Sequence, residues 1–140
     1  MAKTIQVLVV DDSTFMRKSL STMLTSDPRI AVAGLARNGE EALQQVKSVK
    51  PDVVTMDVEM PGMNGIEAVR RIMAECPVPI VMVSSLTTEG ATDTLKALEY
   101  GAVDFIPKQL DGVATNIVEI QRELIEKIVG ASQATGKMTI

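Results

Sequence analysis

Acidic side chains follow two of the stretches in this sequence that have the composition of buried β-strands. Asp11 and Asp12 come directly after the apolar run at 5–10, and Asp57 closes the run at 53–57. The carboxyl ends of parallel strands meet at one edge of a sheet, which is where ligands bind in α/β proteins. We therefore expect the three carboxylates to lie together, with Asp57 as a nucleophile that accepts a phosphoryl group.

Carboxylates at such short range repel one another, and a hard divalent cation would relieve that repulsion. Oxygen donors without histidine or cysteine favour Mg²⁺ over zinc. Ser84 would add a hydroxyl from the end of the fourth predicted strand, and Lys108 would add a cation after the fifth. Because phosphoryl transfer passes through a loose, in-line transition state, positioning and electrostatics carry most of its catalysis.

Each of these residues also has a purely structural explanation when it is considered singly. Asp11 and Asp12 suit the cap of a helix, and Asp57 suits an Asx turn. Ser84 suits another helix cap, Lys108 suits a solvated surface, and the nine methionines suit a hydrophobic core. Their order along the chain favours a shared function over separate structural roles, because every member ends or follows a predicted strand and would lie at the same edge of the sheet.

The elements that must position these residues alternate five times between strand and helix. Apolar, β-branched stretches predict strands at 5–10, 30–36, 53–57, 80–83 and 103–106. Ser13, Asn38 and Asn64 are the predicted caps of the first three helices. A polar turn at 87–90 is expected to precede the fourth helix, and the fifth is expected at 113–129.

The spacing of apolar residues predicts which helix faces are buried. In the first helix these residues are Met16, Leu20, Met23 and Leu24. The second helix is expected to bury Ala42, Leu43, Val46 and Val49, and the fourth is expected to bury Leu95 and Leu98.

This alternation is typical of an α/β protein in which helices cover both faces of a doubly wound, five-stranded parallel sheet. Because the connections between parallel strands are almost always right-handed, only a few strand orders are possible, and we favour the order 2-1-3-4-5. We expect one domain at residues 1–129. Residues 130–140 are small and polar, so we expect a frayed tail or the start of an interdomain linker.

Composition excludes several classes of function. The 140 residues contain no histidine, which rules out a Ser-His-Asp triad or a histidine metal cluster within the chain, and Cys76 is the only cysteine. A net charge of −4 and 2% aromatic residues argue against nucleic-acid binding. No apolar run approaches the ~20 residues of a membrane span. The first residues lack the apolar stretch of a signal peptide, so we expect a cytoplasmic location.

The complete set of site residues resembles that of the receiver domains of bacterial two-component response regulators, over residues 5 to about 129. The resemblance implies a flavodoxin-like receiver fold and phosphorylation of Asp57 by a histidine kinase. It implies Mg²⁺ held by Asp11, Asp12, Asp57 and the backbone carbonyl of Glu59. It also implies that Lys108 and Ser84 assist the transfer and that Ser84 and Phe105 form the switch.

Three segments resemble, more narrowly, the N-terminal regulatory domain of chemotaxis protein-glutamate methylesterase. They are Asp-Val-Glu-Met-Pro at 57–61, Val-Met-Val-Ser-Ser-Leu-Thr at 81–87 and Gly-Ala-Val-Asp-Phe-Ile-Pro-Lys at 101–108. In that family phosphorylation relieves the inhibition of a C-terminal serine esterase. These 140 residues contain no Gly-x-Ser-x-Gly elbow. The resemblance therefore implies an esterase domain beyond them and leaves the oligomeric state open.

One residue departs from the family pattern. Receivers usually carry proline directly after the lysine, whereas Gln109 follows Lys108 here and Pro107 precedes it. The family pattern therefore does not define the shape of the loop into the fifth helix in this chain.

The amino-acid sequence alone leaves three other functions open. A free-standing receiver would act as a diffusible signal or a phosphate sink. A phosphatase of the haloacid dehalogenase type would need Asp-x-Asp after the first strand, whereas this chain has Asp57-x-Glu59 after the third. A nucleotide- or flavin-binding module would need a glycine fingerprint after the first strand, where this chain has Asp-Asp-Ser-Thr.

Overall fold

A computed structural model describes residues 4–84, 88–107 and 117–138. Its five parallel strands form one sheet in the order β2-β1-β3-β4-β5. They are Ile5–Val10 (β1), Ile30–Ala36 (β2), Val53–Asp57 (β3), Ile80–Ser84 (β4) and Asp104–Pro107 (β5). The predicted strand order is confirmed, and β2 and β5 are the edge strands.

The helices lie on both faces of this sheet, as predicted. They are Thr14–Thr25 (α1), Gly39–Val49 (α2), Gly65–Glu75 (α3), Thr88–Glu99 (α4) and Ile117–Met138 (α5). The three predicted caps are confirmed, because Ser13, Asn38 and Asn64 each accept a hydrogen bond from the N–H three residues along, at 3.2, 2.9 and 3.0 Å. Gly101 follows α4 with φ of +121°, a conformation that favours glycine and ends the helix.

Alternating side chains of β1 divide between two hydrophobic clusters. Val7 and Val9 pack with residues of α1 and α5, whereas Leu8 and Val10 pack with residues of α2 and α3. Strands buried on both faces are typical of parallel sheets. Each fully buried aliphatic side chain contributes roughly 1.5–3 kcal/mol, so the centre of the sheet is the most strongly stabilised part of the fold.

The buried face of α1 is predicted correctly, but two residues of other helices are not. Val49, in the last turn of α2, is 37% exposed, and Leu95 of α4 is 64% exposed. Helix α4 instead buries Thr94 and Ala97. Leu98, which was also predicted to be buried, packs against the same cluster as Ala97, so Leu95 lies on the solvent side of the helix.

Several predicted boundaries differ from the structure. Helix α4 begins at Thr88, so most of the predicted polar turn is helical. Helix α5 continues beyond residue 129 to Met138, because Ala131 is buried in the core shared with α1 and Ser132 Oγ donates to the carbonyl of Val129 at 2.7 Å. Helix α5 therefore includes 130–138, and the role of 130–140 as a tail or as the start of an interdomain linker stays a prediction. Residues 113–116, where the fifth helix is predicted to start, lie outside the described residues.

None of the helices in the described part of the chain is long and apolar enough to cross a membrane.

A surface ion pair stabilises the turn between α1 and β2. Arg29 Nη2 lies 2.8 Å from Asp27 Oδ2, and the Arg29 backbone N–H donates to Asp27 Oδ1 at 2.8 Å. These hydrogen bonds, from the side chain first and then the backbone, lower the pKa of Asp27 from 3.8 to about 2.

Replacing this carboxylate gives a pH-dependent prediction. Since the folded pKa is below the unfolded value, the pair stabilises the protein above about pH 4 and this contribution is lost as the pH falls toward 2. We expect Asp27→Asn to lower the melting temperature slightly at pH 6, with a difference that shrinks as the pH falls toward 2 and disappears below it. Circular dichroism melts would test this. A difference in melting temperature that does not change as the pH is lowered would contradict a stabilising ion pair between Asp27 and Arg29.

Candidate functional site

The register of the parallel strands brings their carboxyl ends to one edge of the sheet. Val10 at the end of β1 pairs with Met56, and Asp57 at the end of β3 pairs with Val83. Ser84 pairs with Pro107 at the ends of β4 and β5. The predicted site residues of these strands therefore share one edge, as the alternation of strands and helices predicts.

The three aspartates converge at this edge. Asp11 is 0% exposed and Asp57 is 2% exposed, whereas Asp12 is exposed to solvent. One carboxylate oxygen from each residue lies within 4.8 Å of the other two. The predicted cluster is therefore present, and the roles of its members as ligands and phosphoacceptor stay predictions.

Backbone contacts orient Asp11. Its N–H donates to the carbonyl of Ala36 on β2 at 3.0 Å, so the residue continues the sheet beyond β1. Its carbonyl accepts from Arg17 Nη1 at 2.7 Å, and its Oδ1 accepts from the Ser13 N–H at 2.9 Å. The N-terminal turn of α1 thus fixes both the main chain and the side chain of this acid.

The loop after β3 approaches Asp57 from the other side. The N–H of Glu59 donates to Asp57 Oδ1 over 3.4 Å. The N–H of Gly65, the first residue of α3, donates to the carbonyl of Val58 at 3.0 Å. A Cβ atom at Gly65 would overlap the carbonyl oxygen of Asp57 and would lie 2.9 Å from the Cα of Val58. Glycine is needed here because the start of α3 touches the backbone of the central acid.

A shallow cavity of about 450 Å³ opens beside the cluster. Its lining consists of Asp12, Val58, Glu59, Met60, Pro61, Asn64 and Asp93. Sequence reasoning missed the contribution of Asp93, which lies on α4, and of the Glu59 N–H. The cavity opens the cluster to solvent on the side of Asp12.

Two of the other predicted residues, Ser84 and Phe105, lie on the strands β4 and β5. Ser84 is the last residue of β4, while Lys108 and Gln109 lie outside the described residues. Phe105 of β5 is 42% exposed, and Lys127 Nζ lies 5.0 Å from the centroid of its ring. Lys127 Nζ also donates to the Phe105 carbonyl at 2.5 Å. The switch roles of Ser84 and Phe105 stay predictions.

The donor set of the cluster fits a hard divalent cation. Each of the three aspartates offers one carboxylate oxygen, and the cluster contains no imidazole or thiol. Mg²⁺ prefers such oxygen ligands and binds through one or two carboxylates while it keeps several waters. The exposed position of Asp12 leaves solvent access for those waters.

Comparison with known proteins agrees with the fold. Residues 7–118 match the response regulator receiver domain. The chain therefore belongs to the response regulator receiver domain family. Within that family it is similar to proteins named protein-glutamate methylesterase.

One such relative is protein-glutamate methylesterase/protein-glutamine glutaminase 1 of Oleidesulfovibrio alaskensis. It is 60% identical over 129 residues, which are 92% of this chain and 35% of that protein. This chain therefore spans about a third of the relative's length.

Solved structures of receiver domains have a similar fold. The response regulator domain of CheB from Thermotoga maritima is 48% identical, with a TM-score of 0.84 over 94% of this chain and 98% of that one. A CheX-CheY-BeF3-Mg²⁺ complex from Borrelia burgdorferi is 30% identical, with a TM-score of 0.73 over 91% of this chain and 89% of that one.

The contact between Gly65 and Asp57 predicts opposite effects of two matched substitutions. We expect Gly65→Ala to destabilise the protein by about 3 kcal/mol, because the added methyl group displaces the Asp57 backbone. Gly130→Ala is the control, since this helical glycine has no atom within 4 Å of the new methyl group. It should stabilise the protein by roughly 0.5–1 kcal/mol. Urea unfolding would measure both, and an equal effect of the two variants would contradict the close approach.

Proposed function

We propose that this chain is the phosphoacceptor domain of a two-component chemotaxis system, in which a histidine kinase transfers a phosphoryl group to Asp57 in a Mg²⁺-dependent reaction. The observation that carries the proposal is the convergence of three carboxylates at the carboxyl edge of a receiver fold. Asp57 is the most suitable nucleophile because it ends the central strand β3 and its backbone is held by the start of α3.

In this reaction the Asp57 carboxylate forms a bond to phosphorus as the bond between phosphorus and the donor atom breaks. The leaving group departs in line on the opposite side. The Glu59 N–H, which contacts Asp57 Oδ1, orients the carboxylate during the attack. Asp11, Asp12, Asp57 and the Glu59 carbonyl would hold Mg²⁺, which would supply positive charge where negative charge accumulates on the phosphoryl oxygens.

Two further side chains assist in the proposed transfer. Ser84 donates its hydroxyl hydrogen to the transferred group, and Lys108 provides a second positive charge. After transfer, Ser84 and Phe105 form the switch that reports phosphorylation to the rest of the domain. The exposed position of Phe105 on the edge strand β5 supports this role, because a change in its rotamer would alter the protein surface.

The longer proteins that this chain resembles suggest what the switch controls. We infer that the natural protein continues into a C-terminal methylesterase domain and that phosphorylation of Asp57 relieves the inhibition of that domain. The support is 60% identity to a relative named for this activity, of which the chain covers 35%. A cytoplasmic location is part of the same proposal.

The experiment that tests the proposal is intact-mass spectrometry after incubation with acetyl phosphate and Mg²⁺, with a rapid acid quench. We expect the wild-type chain to gain one phosphoryl group and Asp57→Asn to gain none. Asp52→Asn is the matched control, because Asp52 precedes the other end of β3, where it accepts the Gln6 N–H at 2.8 Å. It should be phosphorylated like the wild type.

Omitting Mg²⁺ should reduce the gain at least tenfold, since three carboxylates would then repel the incoming anion. Phosphorylation of the Asp57→Asn chain at the wild-type rate would contradict the assignment of the acceptor.

A further inference from the structure

A guanidinium supports the loop that carries two of the three acids. Arg17 Nη1 donates to the carbonyl oxygen of Asp11 at 2.7 Å, and Nη2 donates to Thr14 Oγ1 at 3.0 Å. The Arg17 N–H donates to the Ser13 carbonyl at 2.9 Å in the first turn of α1. The half-buried side chain therefore returns from the helix and holds both ends of the loop at 11–14.

The peptide group held in this way lies between Asp11 and Asp12. Its orientation sets the directions in which both side chains leave the backbone. The backbone N–H of Asp11 is also held, because it donates to the Ala36 carbonyl at 3.0 Å. The contact with Arg17 adds a restraint at the Asp11 carbonyl, and its loss would weaken the hold on this peptide group.

The positive charge of Arg17, considered alone, would weaken the binding of a metal ion by the three acids. A guanidinium is always positive at ordinary pH, so its charge repels a divalent cation bound nearby. Any support that Arg17 gives to cation binding must therefore come from geometry. Arginine suits this task because its planar fork makes two hydrogen bonds in a fixed relation.

We propose that Arg17 is a positioning residue of the acidic site. By holding the Asp11 carbonyl and the Thr14 hydroxyl together, it keeps Asp11 and Asp12 aimed at Asp57, ready for a divalent cation. This role rests on the proposed function, since it matters only if the three acids bind Mg²⁺. It extends that function to a residue that need not touch either the metal or the phosphoryl group.

Isothermal titration calorimetry with Mg²⁺ alone, on the unphosphorylated 140-residue chain, tests the proposal. We expect Arg17→Met to weaken Mg²⁺ binding about tenfold, the usual effect of losing a partner that orients metal ligands. Lys18→Met is the matched control, because the same charge is removed at the next residue, whose side chain is exposed. It should leave the affinity unchanged or slightly higher.

Two conservative variants separate geometry from charge. Thr14→Val keeps the guanidinium but removes one of its acceptors, and Arg17→Lys keeps the charge but not the fork. Both should weaken Mg²⁺ binding about two- to fivefold, between the wild type and Arg17→Met. Circular dichroism melts establish that each variant is folded, and if Arg17→Met does not fold, the exposed position of Thr14 makes Thr14→Val decisive.

Unchanged or tighter binding by both Arg17→Met and Thr14→Val would overturn the positioning role while leaving the proposed function intact. Absence of Mg²⁺ binding by the wild-type chain would overturn the metal site itself, and this inference with it.

Discussion

Mutual repulsion among Asp11, Asp12 and Asp57 is the constraint on which the rest of this structure depends. Two of these carboxylates are almost completely buried, and burying charge is costly unless other groups compensate. Apolar burial offsets this cost, because the side chains of strands β1 and β3 pack into hydrophobic clusters on both faces of the sheet. A rigid, strongly apolar centre therefore holds acids together at its edge, and this arrangement gives a divalent cation a site that an unfolded chain lacks.

The loops at this edge are restrained mainly by backbone contacts. The N–H groups of Ser13 and Glu59 contact the carboxylates of Asp11 and Asp57, respectively. Gly65 brings the start of α3 against the Asp57 carbonyl. Because these contacts fix the main chain, the acids keep their positions while the solvent side of the cavity stays open. A receiver needs both properties, since its acceptor must be preorganised and also accessible to a donor protein.

Much of this architecture is predictable from the sequence because it depends on local chemistry. The β-branched run of β1 and the caps at Ser13 and Asn38 are identified from residue type and spacing alone. The spacing of apolar residues predicts the wrong environment for Leu95, because α4 buries the smaller Thr94 and Ala97 instead. The end of α5 is not predictable from local sequence, because the burial of Ala131 depends on packing with α1. The contact between Arg17 and Asp11 is not predictable either, because a guanidinium that contacts a backbone carbonyl leaves no pattern in the sequence.

The most direct test of the acidic site is the free energy of unfolding of the wild type and of Asp57→Asn, each measured with and without Mg²⁺. Without Mg²⁺, we expect Asp57→Asn to be at least as stable as the wild type, because one of three repelling charges is removed. At a Mg²⁺ concentration of ten times Kd, the wild type should gain about 1.4 kcal/mol and the variant less. A marked destabilisation by Asp57→Asn, together with no effect of Mg²⁺ on the wild type, would contradict this expectation and make Asp57 a structural residue.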